Sequence, residues 1–268
     1  MGTIIFNGIS SKDLNIVIQT SPEYTYPQKD YETIHIQGRT GDLQIDLKSY
    51  QNVERSYYIA QIFRPNTNFV HNVEKIVSWL HSASGYARLE DSYDPDVFRL
   101  ASYKESGSLA NLLDEATSAQ IRFDCKPQRY LKIGEIASTV TGSISEGTMT
   151  ALWVNLPNPT DQIAKPLIQM TSNYNFQIQV INSEEQPAAS ATPEQRVIVA
   201  GAVDDVTLDA DLEDCYKGTT SYNNIITVEG GFLELKPGNN WVRIIPYATP
   251  TVQSPTATIS IKPRWWKL

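Results

Sequence analysis

The chain has 268 residues, with 22 Lys and Arg against 30 Asp and Glu, a formal net charge of −8, and an aromatic content of 10%. That length leaves room for two domains of ordinary size, or one large all-β domain, with a core that folds without staples. The acidic balance and the lack of any Lys/Arg-rich run disfavour nucleic acid as a partner, and no segment approaches the roughly 18 consecutive apolar residues of a membrane span.

The opening residues, MGTIIFNGISSKD, lack a basic region and a long apolar stretch, so the sequence suggests a soluble protein made and kept in the cytoplasm. Met-Gly at the start fails as a myristoylation signal, because Phe6 stands where Ser or Thr is needed. Thr33 to Gln37 and Leu43 to Leu47 alternate as strands, and Gly38 and Gly41 flank Arg39-Thr40 in a turn between them. With no Lys-Ser or Lys-Thr and no helix to follow, that glycine pair is no phosphate loop.

Phe69 to Ser84 is the one clear helix. Phe69, Val70, Val73, Ile76, Val77 and Leu80 fall within about 120° of arc, wide enough to cover a sheet face, and Gly85 ends the run. His71 and His81 lie about 80° apart on it, too far to share a metal easily, and read as surface or edge residues. Tyr86, Arg88 and Leu89 then lead into a turn at Asp94-Pro95-Asp96, and Val97 to Tyr103 returns as a strand. Glu90, Asp91, Asp94 and Asp96 invite a reading as paired carboxylates for glycoside cleavage, but they suffice as turn formers and solvated charges.

Ser108 to Ala116 has helical propensity, whereas Ala119 to Cys125 alternates as a strand. Between Gly134 and Gly147 the residues are small and polar, which places a domain boundary there. Further strands are expected at Phe176 to Ile181, Arg196 to Val199 and Ile259 to Ile261, with Ser183 to Pro193 a long loop between the first two. Asp204, Asp205, Asp209, Asp211, Glu213 and Asp214 supply oxygen ligands for a calcium ion. As an EF-hand loop starting at Asp209 they fail, because Asp214 takes the glycine position and Thr220 the closing glutamate's. The favoured reading is a strand with Val206 and Leu208 inside and the acids in water.

Cys125 and Cys215 are the only cysteines and fall in different halves, so in a reducing compartment both are expected as free, buried thiols. A cysteine nucleophile would need His35, His71 or His81 as its base, and no local signature supports one. Trp79, Trp153, Trp241, Trp265 and Trp266 are spread over both halves. The terminal PRWWKL must dock on its own domain or a neighbour, since two tryptophans are costly to leave in water.

Several of these segments occur together elsewhere. The helix ending in WL and a glycine, RLEDSYDPDVFRLASY, and IRFDCKPQRYLK (Ile121 to Lys132) resemble the N-terminal half of the distal tail proteins of long-tailed phages. FNGISSKDL (Phe6 to Leu14) and HIQGRTGDL (His35 to Leu43) resemble that family's opening strands and glycine-flanked turn. NPTDQIAKPLIQM (Asn158 to Met170) and VTLDADLEDCYKG (Val206 to Gly218) resemble the start and middle of its C-terminal domain.

The resemblance spans almost the whole chain and implies a mainly β protein of two domains. Residues 1–135 would be a ring-forming β-sandwich or barrel-like domain with one covering helix, and residues 136–268 a galectin-like β-sandwich. It also favours turn and strand over helix at Ser108 to Ala116. The implied role is structural: a homohexameric ring at the tail tip of a virion, assembled in the host cytoplasm. The ring would join the tail tube protein to the tail-tip hub protein and dock receptor-binding or other baseplate proteins. No catalytic, cofactor or metal residue follows, and no membrane insertion. Two rivals stand beside it, a carbohydrate-binding module and a tail-associated hydrolase. Galactoside binding is not expected, since all three histidines lie in the first half and Trp241 is followed by Val242-Arg243-Ile244-Ile245 with no glutamate.

Overall fold

The computed structural model describes residues 2–62, 69–104, 110–113, 116–145, 148–150, 153–247 and 255–268. By its internal contacts the chain divides into two units, Met1–Arg129 with Leu268, and Tyr130–Lys267. Each has its own buried apolar cluster.

The first unit is built on one sheet. Its strands run in the order Ile9–Ser10, Ile4–Phe6, Ala87–Asp91, Val97–Tyr103, Ala116–Leu131, Val53–Ile62 and Ile16–Ile18. Asn7 and Gly8 join the first two in sequence with φ of 48° and 79°, and Phe6 pairs with Ile9 across them. Two left-handed residues in a two-residue loop are what a type I′ hairpin requires, which is why Asn-Gly serves there. Alternation along the long strands sends Tyr57, Ile59, Leu89, Ile121, Phe123 and Cys125 to one face, where they pack with Phe6, Ile16 and Ile18.

The helix Phe69–Leu80 lies on that cluster through Ile76, Trp79 and Leu80. Trp79 anchors it by donating its indole N–H to the Phe6 carbonyl at 3.3 Å. Two expectations need correction. The helix ends at Leu80, with His81 and Ser82 closing its last turn onto Val77 and Trp79, so Gly85 lies beyond its end. And Val70 and Val77 stay exposed, because burying Trp79 turns the inward face by roughly 60° from the aliphatic stripe.

The second unit stacks two sheets on one core. One sheet has the order Thr148–Thr150, Ser138–Ser145, Thr256–Lys262, Leu167–Ser172, Val203–Asp209, Asp214–Lys217 and Thr220–Ser221. The other runs Val154–Asn155, Asn240–Pro246, Phe176–Asn182, Gln195–Val199 and Ile226–Glu229. Ile168, Met170, Val206, Leu208, Ile259 and Ile261 from the first meet Phe176, Ile178, Val180, Val197, Val242 and Ile244 from the second. Each such side chain fully buried contributes about 1.5 to 3 kcal/mol.

The small polar stretch read as a boundary is largely a strand, Ser138–Ser145, inside the first of these sheets. Its residues are small because the facing strand is close: a Cβ on Gly142 would lie 3.2 Å from Ile244. Within Ser108 to Ala116, Ala110–Leu113 is strand rather than helix, while 108–109 and 114–115 lie outside the described residues. The expected loop at Ser183 to Pro193 does join two paired strands, Phe176–Asn182 and Gln195–Val199.

Candidate assembly surface

One element of the first unit joins none of these sheets. Among the described residues Lys29–Ile34 and Leu43–Tyr50 pair only with each other, Ile34 opposite Leu43, Glu32 opposite Ile45, and Tyr31 opposite Asp46. The ladder starts four residues earlier than alternation suggested, and His35 and Ile36 fall outside it.

The tip of this hairpin is fixed by its glycines. Gly38 and Gly41 take φ of 80° and 84° with open space around each, so it is conformation and not crowding that calls for glycine. His35 Nδ1 meets Asp42 Oδ1 at 2.8 Å and clips the base of the turn. At the far end Lys48 has φ of 57° and donates its N–H to Asp46 Oδ1 at 2.8 Å, which kinks the second strand.

The register sets the chemistry of its faces. Ile34, Leu43, Ile45 and Leu47 share one face by the period of two, with Glu32 on it opposite Ile45, and each of the four is 38–49% exposed, as is Ile36 beside them. The opposite face carries Thr33, Gln44 and Asp46 with Tyr31. A two-stranded hairpin is marginal in water by itself, and a contiguous apolar face on one marks a contact surface. Among the described residues neither backbone edge has a strand partner, so the element offers apolar area and unpaired ladder groups together.

Among the described residues, the acids around Pro95 are each tied to a separate structural partner or to solvent. Asp91 is buried, its Oδ2 accepting from Arg55 at 3.0 Å and from the Tyr57 hydroxyl at 2.8 Å. Its Oδ1 accepts the N–H groups of Tyr93 and Asp94. Burial pushes the Asp91 carboxyl up, but Tyr57, Arg55 and the Tyr93 N–H together hold it below the usual range. Asp94 pairs with Arg129, and Glu90 with Arg88 at 2.6 Å. These acids do form the turn, as expected, but Asp91 is a buried counter-ion and not a solvated charge. Asp96 alone stands exposed.

The second acidic run disperses too. Asp204 pairs with Lys217 at 3.2 Å, Asp214 accepts from Asn223 at 2.7 Å, and Glu213 stands 4.0 Å from Lys165. Val206 and Leu208 point inward as expected, but Asp209 does not face water. It is 4% exposed and receives both guanidinium nitrogens of Arg264 at 2.8 Å. Among the described residues no three metal-ligating side chains converge.

The remaining candidates are structural. His71 is exposed near Glu74, and His81 sits edge-on to Tyr103. Cys125 and Cys215 are buried free thiols, and burial pushes them up to about 12 and about 11. Trp265 enters the second unit's core, and Trp266 donates to the Ile163 carbonyl at 2.8 Å, so both tryptophans of PRWWKL dock on their own unit.

No protein-family model matches the chain, and no curated protein matches it in sequence. Solved structures do. The Dit protein of phage SPP1, described as a paradigm of the hub adsorption apparatus in Gram-positive infecting phages, superposes over 98% of both chains, with a TM-score of 0.65 and 14% identity. A chain of the phage P2 baseplate in its activated conformation with calcium matches over 97% of both, TM-score 0.55 at 9% identity. The strontium form of that baseplate gives 0.52 at 9% identity, over 96% of this chain and 97% of that one. The chain has a Dit-like fold, the fold of phage tail-hub and baseplate proteins.

Proposed function

We propose that this chain is a structural component of a phage tail tip, a distal tail protein that closes into a six-membered ring. The observation that carries the reading is the hairpin at Lys29–Tyr50, a largely apolar ribbon with exposed side chains and, among the described residues, no strand partner beyond itself. Its occupant is a second copy of this chain. A head-to-tail contact, in which the hairpin of one copy lies on a different surface of the next, generates a ring when the rotation closes. The Dit-like fold over nearly the full length supports the same role.

In this reading the first unit forms the ring between the tail tube above and the tip hub protein below. The second unit is a galectin-like sandwich directed at baseplate or receptor-binding proteins. It works by protein docking, without catalysis or a cofactor, and the assembled ring belongs to the virion. Light scattering on the purified chain is expected to give about six times its 30.0 kDa mass, or twice that if rings pair. A chain that stays single at high concentration would overturn the ring.

A further inference from the structure

Three arginines of the first unit are charged neighbours, and among the described residues two carboxylates answer them. Arg55, Arg99 and Arg129 are 5%, 7% and 8% exposed. Asp91 takes Arg55, whose Nη1 also donates to the Glu23 carbonyl at 2.7 Å. Asp94 takes Arg129, which stacks on the Tyr24 ring, donates to the Tyr24 hydroxyl and reaches the Leu268 carbonyl at 3.3 Å. Yet the Arg129 Nε–H, shut off from solvent, has no acceptor.

Arg99 has nothing. Among the described residues its guanidinium donates no hydrogen bond and joins no ion pair. It lies on the core face of the Val97–Tyr103 strand, opposite the buried Leu89 and in line with Val97 and Ala101. The polar groups around it are Arg55 and Arg129, both of its own sign, with Tyr57 and Cys125. Burial pushes its pKa down, but a guanidinium cannot shed its proton at any ordinary pH, so it remains a largely buried cation whose nitrogens still touch solvent. Leucine or methionine would fill the same space without that cost.

We propose that Arg99 is a receptor for one oxyanion that the described residues of this chain do not provide. Carboxylate and phosphate share the chemistry, since the guanidinium fork presents parallel N–H groups to two oxygens. The oxyanion arrives either as a free anion or as an acidic side chain of a second copy of this chain. The site does not rest on the ring, because a chain that stays single can still take the free anion.

The test compares the full chain with Arg99→Met in sodium phosphate and in sodium chloride of matched ionic strength, reading thermal midpoint and assembled fraction. A free-anion site raises the wild-type midpoint in phosphate by on the order of 5 °C near saturation, and Arg99→Met does not respond. A site for the second copy leaves the midpoint of unassembled chain unmoved by phosphate, and Arg99→Met then needs at least about ten times the protein concentration to assemble equally. In either case unassembled Arg99→Met melts in chloride no lower than wild type, because it has lost an unpaired buried charge. Arg99→Lys keeps the charge without the fork and loses most of whichever effect is seen.

The proposal falls if Arg99→Met matches wild type in both phosphate response and assembly. It falls equally if Arg99→Met melts several degrees lower or does not fold, which would make Arg99 part of the unit's own packing. Wild-type behaviour of Arg99→Lys would remove the two-oxygen geometry.

Discussion

Asp209 and Arg264 form the ion pair on which the acid stability of the second unit most depends. The carboxylate is 4% exposed, accepts both Arg264 nitrogens at 2.8 Å, and accepts the N–H groups of Asp211 and Leu212 at 3.0 and 3.2 Å. Burial pushes its pKa up, but Arg264 and the two N–H groups more than offset this and hold it below the ordinary value. Asp209→Asn keeps the shape and leaves a partly buried guanidinium unpaired. It is expected to cost about 3 kcal/mol in urea unfolding. Asp204→Asn is the control, because that carboxylate is 88% exposed and its pair with Lys217 is worth under about 1 kcal/mol. The sign of the pH dependence follows. A folded pKa below the unfolded one stabilises above the unfolded value, about 3.9, and the benefit is lost as pH falls towards the folded value. Asp91 acts in the same direction in the first unit. The thermal midpoint should therefore be level from neutral pH down to about 5 and drop below about 4, with a shallower drop in Asp209→Asn.

The hairpin and the helix show what an element's own pattern does and does not disclose. Alternation at Leu43 to Leu47 marked a strand, and the ladder Leu43–Tyr50 is there, but a period of two says only which residues share a face and not what covers it. Ile45→Lys with Leu47→Lys tests the consequence. Both positions are exposed in the single chain, so unfolding free energy should move by less than about 0.5 kcal/mol while the assembled fraction falls sharply in light scattering. Trp79→Ala is the contrast: it removes the helix's anchor from a closed core and should cost about 3 to 5 kcal/mol. The helix itself was legible from its apolar spacing, yet its orientation was not, since the aliphatic count omitted Trp79, which has the largest apolar area to bury. Polarity misled at Ser138–Ser145, where small residues are needed by a close facing strand and resemble a linker. The pair Asp209–Arg264 lies 55 positions apart with no periodic trace, so the fold alone brings it together.

At the scale of the whole molecule, the two cysteines report on the two cores separately. Cys125 lies in the cluster of the first unit and Cys215 in that of the second, both at zero exposure. Only the thiolate reacts with an alkylating agent, and burial that pushes these thiols to about 12 and about 11 keeps both protonated as well as shielded. Native protein should therefore resist labelling, and full denaturation without reductant should give two labels by intact mass. Zero labels on a single chain would mean a disulfide, against the two free, buried thiols. The informative condition lies between. Because each unit closes its own core and holds its own ion pair, each can open by itself at its own urea concentration. A short alkylation pulse in intermediate urea should then produce a singly labelled species, and peptide mapping should place its label on one cysteine. A pulse that yields only unlabelled and doubly labelled chains at every urea concentration would show instead that the two cores unfold as one cooperative unit.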